Sequence, residues 1–311
     1  MPIKPLESIV CPICEIDNSS LLFESPGMRC YHDHRFTMVR CNQCGLIYNN
    51  PRLAKEDLSL CYDETYYAVR EANRLATWLS ATLLNAKVTE LTRAFQNPGS
   101  TVLDMGYGSG EFLFRMQQRG WKTVGIDSSA AACHLATQRL GQNVFNASLE
   151  ECQFPDSHFD LVTLWHVFEH VYDPLAELAR IRRVLKDTGT LVLVVPNSDC
   201  SEFRLFKENC FHLESPVHVF HYAPATLCAI LEKMKFRVTR KNLFALDFPL
   251  GMVHSAQSAL MSSHRFKQNW KLMLALATPI LLGATVINRL NPFTHDSPVM
   301  EVWAQKQENP R

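Results

Sequence analysis

No excess of charge of either sign marks this sequence: 31 lysines and arginines stand against 31 aspartates and glutamates in 311 residues. That balance leaves no global attraction for nucleic acid or an anionic membrane, so nucleic acid is not expected as a partner. Residues 1–10 contain no apolar stretch. No secretory signal is expected from them, and the compartment is read as cytoplasmic. Disulfides are rare there, so an odd count of eleven cysteines points to free thiols or bound metal instead. No charge-free apolar run reaches the roughly 20 residues of a spanning helix. Leu272–Ile287 has sixteen and is interrupted by Pro279. Glycine is scarce as well, 12 residues in all, so a place where glycines gather carries information. What is abundant is apolar side chain, at 47%, enough for one large or two small domains with a sizeable core.

Three of those glycines fall at Gly106, Gly108 and Gly110, within Thr101–Leu113. Thr101–Met105 reads as a short buried strand and Glu111–Arg119 as a helix. A strand, a glycine turn and a helix N-terminus make a site for a nucleotide-like ligand. The spacing is not the dinucleotide G-x-G-x-x-G, and the Lys-Ser/Thr of a P-loop is missing. Asp104 precedes the glycines, where a pyrophosphate would be repelled. It suits a ligand carrying an ammonium group or hydroxyls. A second strand, Thr123–Ile126, ends in Asp127, about 20 residues on, where an acid can bind ribose hydroxyls.

This pair of strands resembles the class I S-adenosylmethionine (SAM) methyltransferases. Four further blocks recur in that family's order: Phe154–His170, Asp173-Pro174, Val184–Gly189 and Leu191–Asn197. The resemblance implies a doubly wound α/β fold with a seven-stranded Rossmann-like sheet, and SAM as cofactor. By it, Gly106, Gly108 and Gly110 hold the methionine end and Asp127 the ribose. Ser148 and Leu149 lie in the loop that holds adenine. Trp165 and His166, at the carboxyl end of the fourth strand, border the methyl group. Tyr67 closes over the SAM carboxylate or packs a helix on the sheet.

Cys11-Pro-Ile-Cys14 and Cys41-Asn-Gln-Cys44-Gly45 are two C-x2-C knuckles separated by 26 residues. Four thiolates can complete a structural tetrahedral Zn2+ shell, in a ribbon with an inserted loop. Cys30, His32 and His34 in that loop could compete as ligands. Several sugar and small-molecule methyltransferases resemble this arrangement of ribbon, Leu46–Pro51 and tyrosine-rich segment.

His166, Glu169 and His170 form an H-x-x-E-H cluster read as opening a helix, with the three side chains on one face. Ubiquinone-biosynthesis O-methyltransferases are similar in having E-x-x-E-H, which can hold a divalent ion. With His166 in place of the first glutamate, Glu169-His170 is expected instead to orient the loop. Phe211–Pro224 contains His212, His218 and His221 beside Glu214 and Tyr222. Imidazoles titrate near neutrality and can take a proton from a substrate hydroxyl. His218, His221 and Tyr222 are the candidate catalytic residues, and the alternative is that they pack and hydrogen-bond a lid.

Gly189 is expected to turn the chain into a fifth strand, Leu191–Val195, and Val299–Ala304 to form a seventh, antiparallel to the sixth. The segments read as a zinc-ribbon-like domain (1–57), a helical cap (58–97), the SAM-binding domain (98–246 and 297–311) and a hydrophobic helical insertion (247–296). Leu272–Ile287 lies in the insertion, flanked by His264, Arg265, Lys267, Lys271 and Arg289. It is expected either at the inner membrane surface or buried as a lid or in a homodimer. The expected activity is methyl transfer from SAM to a small-molecule acceptor: a sugar, a glycan precursor or a lipid-linked compound. The alternatives are a quinone-type or other lipid hydroxyl, and a non-catalytic SAM-binding interaction protein.

Overall fold

The fold is described from a computed structural model, covering residues 5–27, 31, 33–58, 74–95, 99–244, 248–262 and 296–307. The elements are β1 (Ser19–Pro26), β2 (Arg35–Cys41), β3 (Ile47–Asn49), α1 (Lys55–Leu58), α2 (Arg74–Phe95), β4 (Thr101–Met105) and α3 (Glu111–Gln117). There follow β5 (Lys122–Asp127), α4 (Ala130–Leu140), β6 (Val144–Asn146), β7 (Phe159–Trp165), α5 (Pro174–Val184) and β8 (Leu185–Pro196). The chain continues through α6 (Ser201–Phe206), β9 (Phe220–His221), α7 (Pro224–Lys233), β10 (Phe236–Phe244), α8 (Phe248–Ser262) and β11 (Val299–Lys306).

Seven strands form one sheet in the order β10-β11-β8-β7-β4-β5-β6. Pairs from β8 through β6 are parallel, and β11 runs antiparallel between β8 and β10. The expected doubly wound sheet with a reversed last strand is therefore present. The order reverses at β4, so the carboxyl ends of β4, β5 and β7 border the crevice where α/β sheets bind ligands.

Local chemistry fixes several of these elements. Leu191, Val192, Leu193 and Val195 in β8 are fully buried, as expected for a strand covered on both faces. Each contributes about 1.5–3 kcal/mol of burial. The Ser129 hydroxyl accepts from the Ala132 N–H and caps α4, and the Asp173 carboxylate accepts from the Ala176 N–H and caps α5. Pro174 fits the first turn of α5, where no N–H is needed.

Two local expectations need correction. β8 begins at Leu185, ahead of the expected turn. Its pairing with β7 jumps from Phe159↔Leu185 to Leu161↔Thr190, so residues 186–189 bulge and Gly189 lies within the strand. The H-x-x-E-H segment does not open a helix. His166 is left-handed at φ 55°, and Phe168–His170 is a single 3-10 turn. The three side chains therefore do not share a helical face.

A second sheet, β1-β2-β3-β9, joins the cysteine-rich N-terminal segment to the histidine-rich one. Ile47 pairs with His221 and Tyr48 with Phe220. Asn49 Nδ2 donates to the His218 carbonyl at 2.9 Å, and Lys233 Nζ to the Ile13 carbonyl at 2.8 Å. Of the insertion, α8 packs on the segment containing α6, with Ser255 and Ala256 buried. Leu272–Ile287, Tyr67, Cys30 and His32 lie outside the described residues. Among the described residues, no helix is long and apolar enough to cross a membrane.

Candidate functional site

The turn after β4 is shaped by its glycines. Gly106 has φ 73°, and a Cβ there would lie 2.4 Å from Val167 Cγ2. Gly110 has φ 74°, and its Cβ would lie 2.7 Å from Leu140 Cδ1. At Gly108, φ is 55° and a Cβ would meet nothing within 4 Å. Two of the glycines thus allow packing behind the turn, and the third leaves open space in front of it.

Asp127, at the end of β5, faces that turn. Its Oδ2 accepts from Gly108 N at 3.0 Å and its Oδ1 from Ser129 N at 2.8 Å. Burial raises its carboxyl above the ordinary value against those two bonds. Asp104 is fully buried. Burial pushes its carboxyl up to about 8, against a 2.6 Å bond donated by Thr163 Oγ1 and with the charge of Asp127 adding to the rise. Ser148 donates from both N and Oγ to Glu151 Oε2, at 2.7 and 2.8 Å, and Leu149 is buried. The Trp165 ring lies against Phe112, centroids 5.2 Å apart, and its buried Nε1 has no partner among the described residues. Asp104, Asp127, the three glycines, Trp165 and His166 thus line the carboxyl ends of adjacent strands.

Beside this cradle, imidazoles surround one carboxylate. Glu169 is 1% exposed, and neither of its oxygens has a hydrogen bond among the described residues. His166 Nδ1 lies 3.5 Å from Glu169 Oε1, and His218 Nε2 lies 4.0 Å from the same oxygen. The His166 side chain is 40% exposed, whereas His218 and His221 are buried. His218 Nδ1 lies 2.9 Å from the His212 carbonyl and His170 Nδ1 2.7 Å from the Val217 carbonyl. A carbonyl only accepts, so each ring carries a proton on Nδ1. Burial, helped by the imidazoles of His170 and His221, holds His218 well below the usual imidazole range. Burial lowers His221 to about 3. Tyr222 stacks on Phe168 at 5.3 Å, and its buried hydroxyl has no partner among the described residues. The H-x-x-E-H motif singles out Glu169 as a loop-orienting residue, and the burial of its oxygens is added by tertiary packing. The signal for Glu169 was an acid between two histidines directly after a strand.

In the N-terminal segment, Cys11, Cys14, Cys41 and Cys44 have sulfurs within 4.8 Å of one another, a set able to hold a metal ion. Each knuckle closes on its first cysteine. Glu15 N donates to the Cys11 carbonyl and Gly45 N to the Cys41 carbonyl, with φ 59° and 81° at Glu15 and Gly45.

Residues 76–241 match the family model described as a methyltransferase domain. A ubiquinone biosynthesis O-methyltransferase of Rhodopseudomonas palustris (strain TIE-1) is 33% identical over 112 residues, covering 34% of this chain and 44% of that protein. An uncharacterized protein of Methanocaldococcus jannaschii is 34% identical over 131 residues, covering 42% of this chain and 54% of its own. The chain thus spans about half the length of these curated relatives. A Haemonchus contortus Phospholethanolamine N-methyltransferase 2, solved with phosphomonomethylethanolamine and S-adenosylhomocysteine, superposes with a TM-score of 0.53 at 18% identity. That match covers 84% of this chain and 63% of that one, and it concerns the fold alone. With the domain match spanning more than half of the sequence and the glycine cradle in place, the chain belongs to the methyltransferase-domain family, the class I SAM-dependent type.

Proposed function

We propose that this protein transfers the methyl group of SAM to a hydroxyl of a small-molecule acceptor, a sugar, glycan precursor or lipid-linked compound. The observation that carries the reading is Glu169, a buried carboxylate without hydrogen bonds among the described residues, set between His166 and His218 beside the glycine cradle. SAM, when bound, supplies an electrophilic methyl group on a sulfonium centre. Gly108 leaves room for the methionine end, and Asp104 is suited to its ammonium group. Asp127 offers its carboxylate to the ribose hydroxyls.

An acceptor hydroxyl must lose a proton as it is methylated. His166 is the most exposed imidazole of the set and is assigned that proton. The Glu169 carboxylate beneath it orients the ring and stabilises the imidazolium. His218 flanks Glu169 from the other side, and His221 and Tyr222 form the wall behind it. Alignment of donor and acceptor, rather than covalent chemistry by the protein, supplies most of the acceleration.

The cysteine cluster is assigned a structural zinc ion. Zn–S bonds of about 2.3 Å in a tetrahedron separate sulfurs by about 3.8 Å. Cys11–Cys44 and Cys14–Cys41 stand at 3.5 and 3.9 Å. Four thiolates leave no coordination position open for catalysis.

A quinone-type phenol is the second acceptor class, favoured by the name of the Rhodopseudomonas relatives. Incubation with deuteromethyl-labelled SAM and small-molecule extracts, read by mass spectrometry, tests both. A labelled methyl ether on a sugar or lipid-linked compound supports the first reading and one on a phenol the second. Labelling only of carbon or nitrogen contradicts the hydroxyl assignment.

A further inference from the structure

Besides the cysteine knuckles and the Glu169, His170 and His218 set, another cluster of metal-ligating side chains lies in the segment that follows β8. Glu202 in α6, Cys210 and His212 place a carboxylate oxygen, a thiol sulfur and an imidazole nitrogen within 4.8 Å of one another. Glu202 is fully buried and Cys210 is 4% exposed. His212 Nδ1 lies 3.4 Å from Glu202 Oε1, and Cys210 Sγ lies 3.8 Å from the same oxygen. Ligand atoms at about 2.0–2.3 Å from a tetrahedral zinc ion are separated by about 3.3–3.8 Å. The two separations to Glu202 Oε1 already match, and the thiol sulfur and the imidazole nitrogen lie within 4.8 Å of each other.

Two atoms of the cluster are otherwise unexplained. Glu202 Oε2 and His212 Nδ1 are both buried and have no hydrogen-bond partner among the described residues. Ser255 Oγ donates to Glu202 Oε1 at 2.7 Å and in turn accepts from Phe211 N at 2.7 Å. That bond satisfies one carboxylate oxygen and leaves the other bare. A buried carboxylate oxygen and a buried imidazole nitrogen without partners are costly side by side. A single cation bound to both, and to the thiolate of Cys210, would satisfy them together. Helix α8 closes the cluster from above. A Cβ at Gly251 would lie 2.8 Å from His212 Cε1 and 3.1 and 3.2 Å from the Glu202 oxygens.

We propose that Glu202, Cys210 and His212 bind a second divalent ion of the zinc class. The mixed sulfur, nitrogen and oxygen set suits such a borderline ion, whereas magnesium or calcium would call for oxygen alone. Three protein donors leave the fourth position to water. The ion joins α6 to the 3-10 turn at Phe211–Leu213 beneath α8. Its ligand His212 also accepts, through its carbonyl, the Nδ1 proton of His218. The ion therefore holds the backbone that fixes the tautomer of His218.

The test is metal analysis of the full chain after equilibration with zinc and desalting, for wild type and for Glu202→Gln and His212→Gln. Each variant is expected to retain one zinc fewer per chain than wild type, with circular dichroism and SAM affinity unchanged. Because the comparison is a difference, it does not depend on occupancy of the cysteine knuckles. Equal zinc content in wild type and both variants overturns the proposal and leaves a metal-free hydrogen-bonded cluster. X-ray absorption at the zinc edge, compared between wild type and Glu202→Gln, gives a second readout. Nitrogen or oxygen neighbours at about 2.0–2.1 Å beside sulfur at about 2.3 Å are expected in wild type, and a shell of sulfur alone there contradicts the site.

Discussion

Replacing Gly106 and Gly108 separately by alanine should separate folding from ligand binding. At Gly106, φ is 73° and the new Cβ would lie 2.4 Å from Val167 Cγ2. The left-handed backbone costs an alanine about 1–2 kcal/mol. Relieving the contact by moving Val167 adds about 1–3 kcal/mol. Gly106→Ala should therefore lose about 2–5 kcal/mol of unfolding free energy. At Gly108 only the first cost applies, because a Cβ meets nothing within 4 Å at φ 55°. Its penalty appears instead in SAM affinity. A methyl group in the ligand's space costs about 1–3 kcal/mol, roughly 5- to 150-fold in Kd. Gly120 has φ 82° and equally open surroundings away from the cradle. Gly120→Ala is the control, losing about 1–2 kcal/mol of stability and no affinity. Urea unfolding and calorimetric SAM titration measure the two quantities, and Val167→Ala on top of Gly106→Ala should restore part of the stability. The reasoning is refuted if Gly106→Ala is as stable as Gly120→Ala, or if Gly108→Ala binds SAM as wild type does.

Asp104 holds its proton in the SAM-free fold up to about pH 8 and would release it near pH 4 when unfolded. Within that window the unfolded state binds fewer protons, so stability falls as pH rises, by up to about 1.4 kcal/mol per pH unit. Asp104→Asn should flatten the fall. SAM affinity should rise with pH through the same window as one proton is released, checked by calorimetry in buffers of different ionisation enthalpy. His166→Gln should lower kcat by about 10²–10⁴-fold with KM for SAM unchanged, measured with the acceptor found by isotope labelling. An equal loss in both parameters would indicate a positioning role. Cys14→Ser should reduce zinc content by one equivalent and lower the melting temperature, since β3 of the ribbon sheet carries β9.

The SAM fold was readable because its signals are local. The glycine turn at 106–110, the caps at Ser129 and Asp173, and the charge-free runs Leu161–Trp165 in β7 and Thr190–Pro196 in β8 each announce themselves within ten residues. The reversed strand β11 was readable only through the family's order, since some fifty residues separate it from β10. Pairing of Phe220-His221 with Ile47-Tyr48 was not readable: two residues carry no period, and their partners lie far back in the chain. The chemistry of Glu169 and Glu202 was hidden for a related reason. A glutamate on paper is a surface charge, and only tertiary packing reveals a buried carboxylate with one or both oxygens bare. The left-handed His166 was missed because non-glycine residues seldom adopt that conformation, and residue spacing says nothing of it.

The measurement that bears most directly on the account is a calorimetric titration of SAM into wild type and Asp127→Asn. The account predicts one SAM per chain for wild type. For the variant it predicts a Kd raised about 100-fold or more, as charge-assisted bonds to the ribose hydroxyls, about 1.5–3 kcal/mol each, are lost. Equal affinity in the two proteins would contradict it.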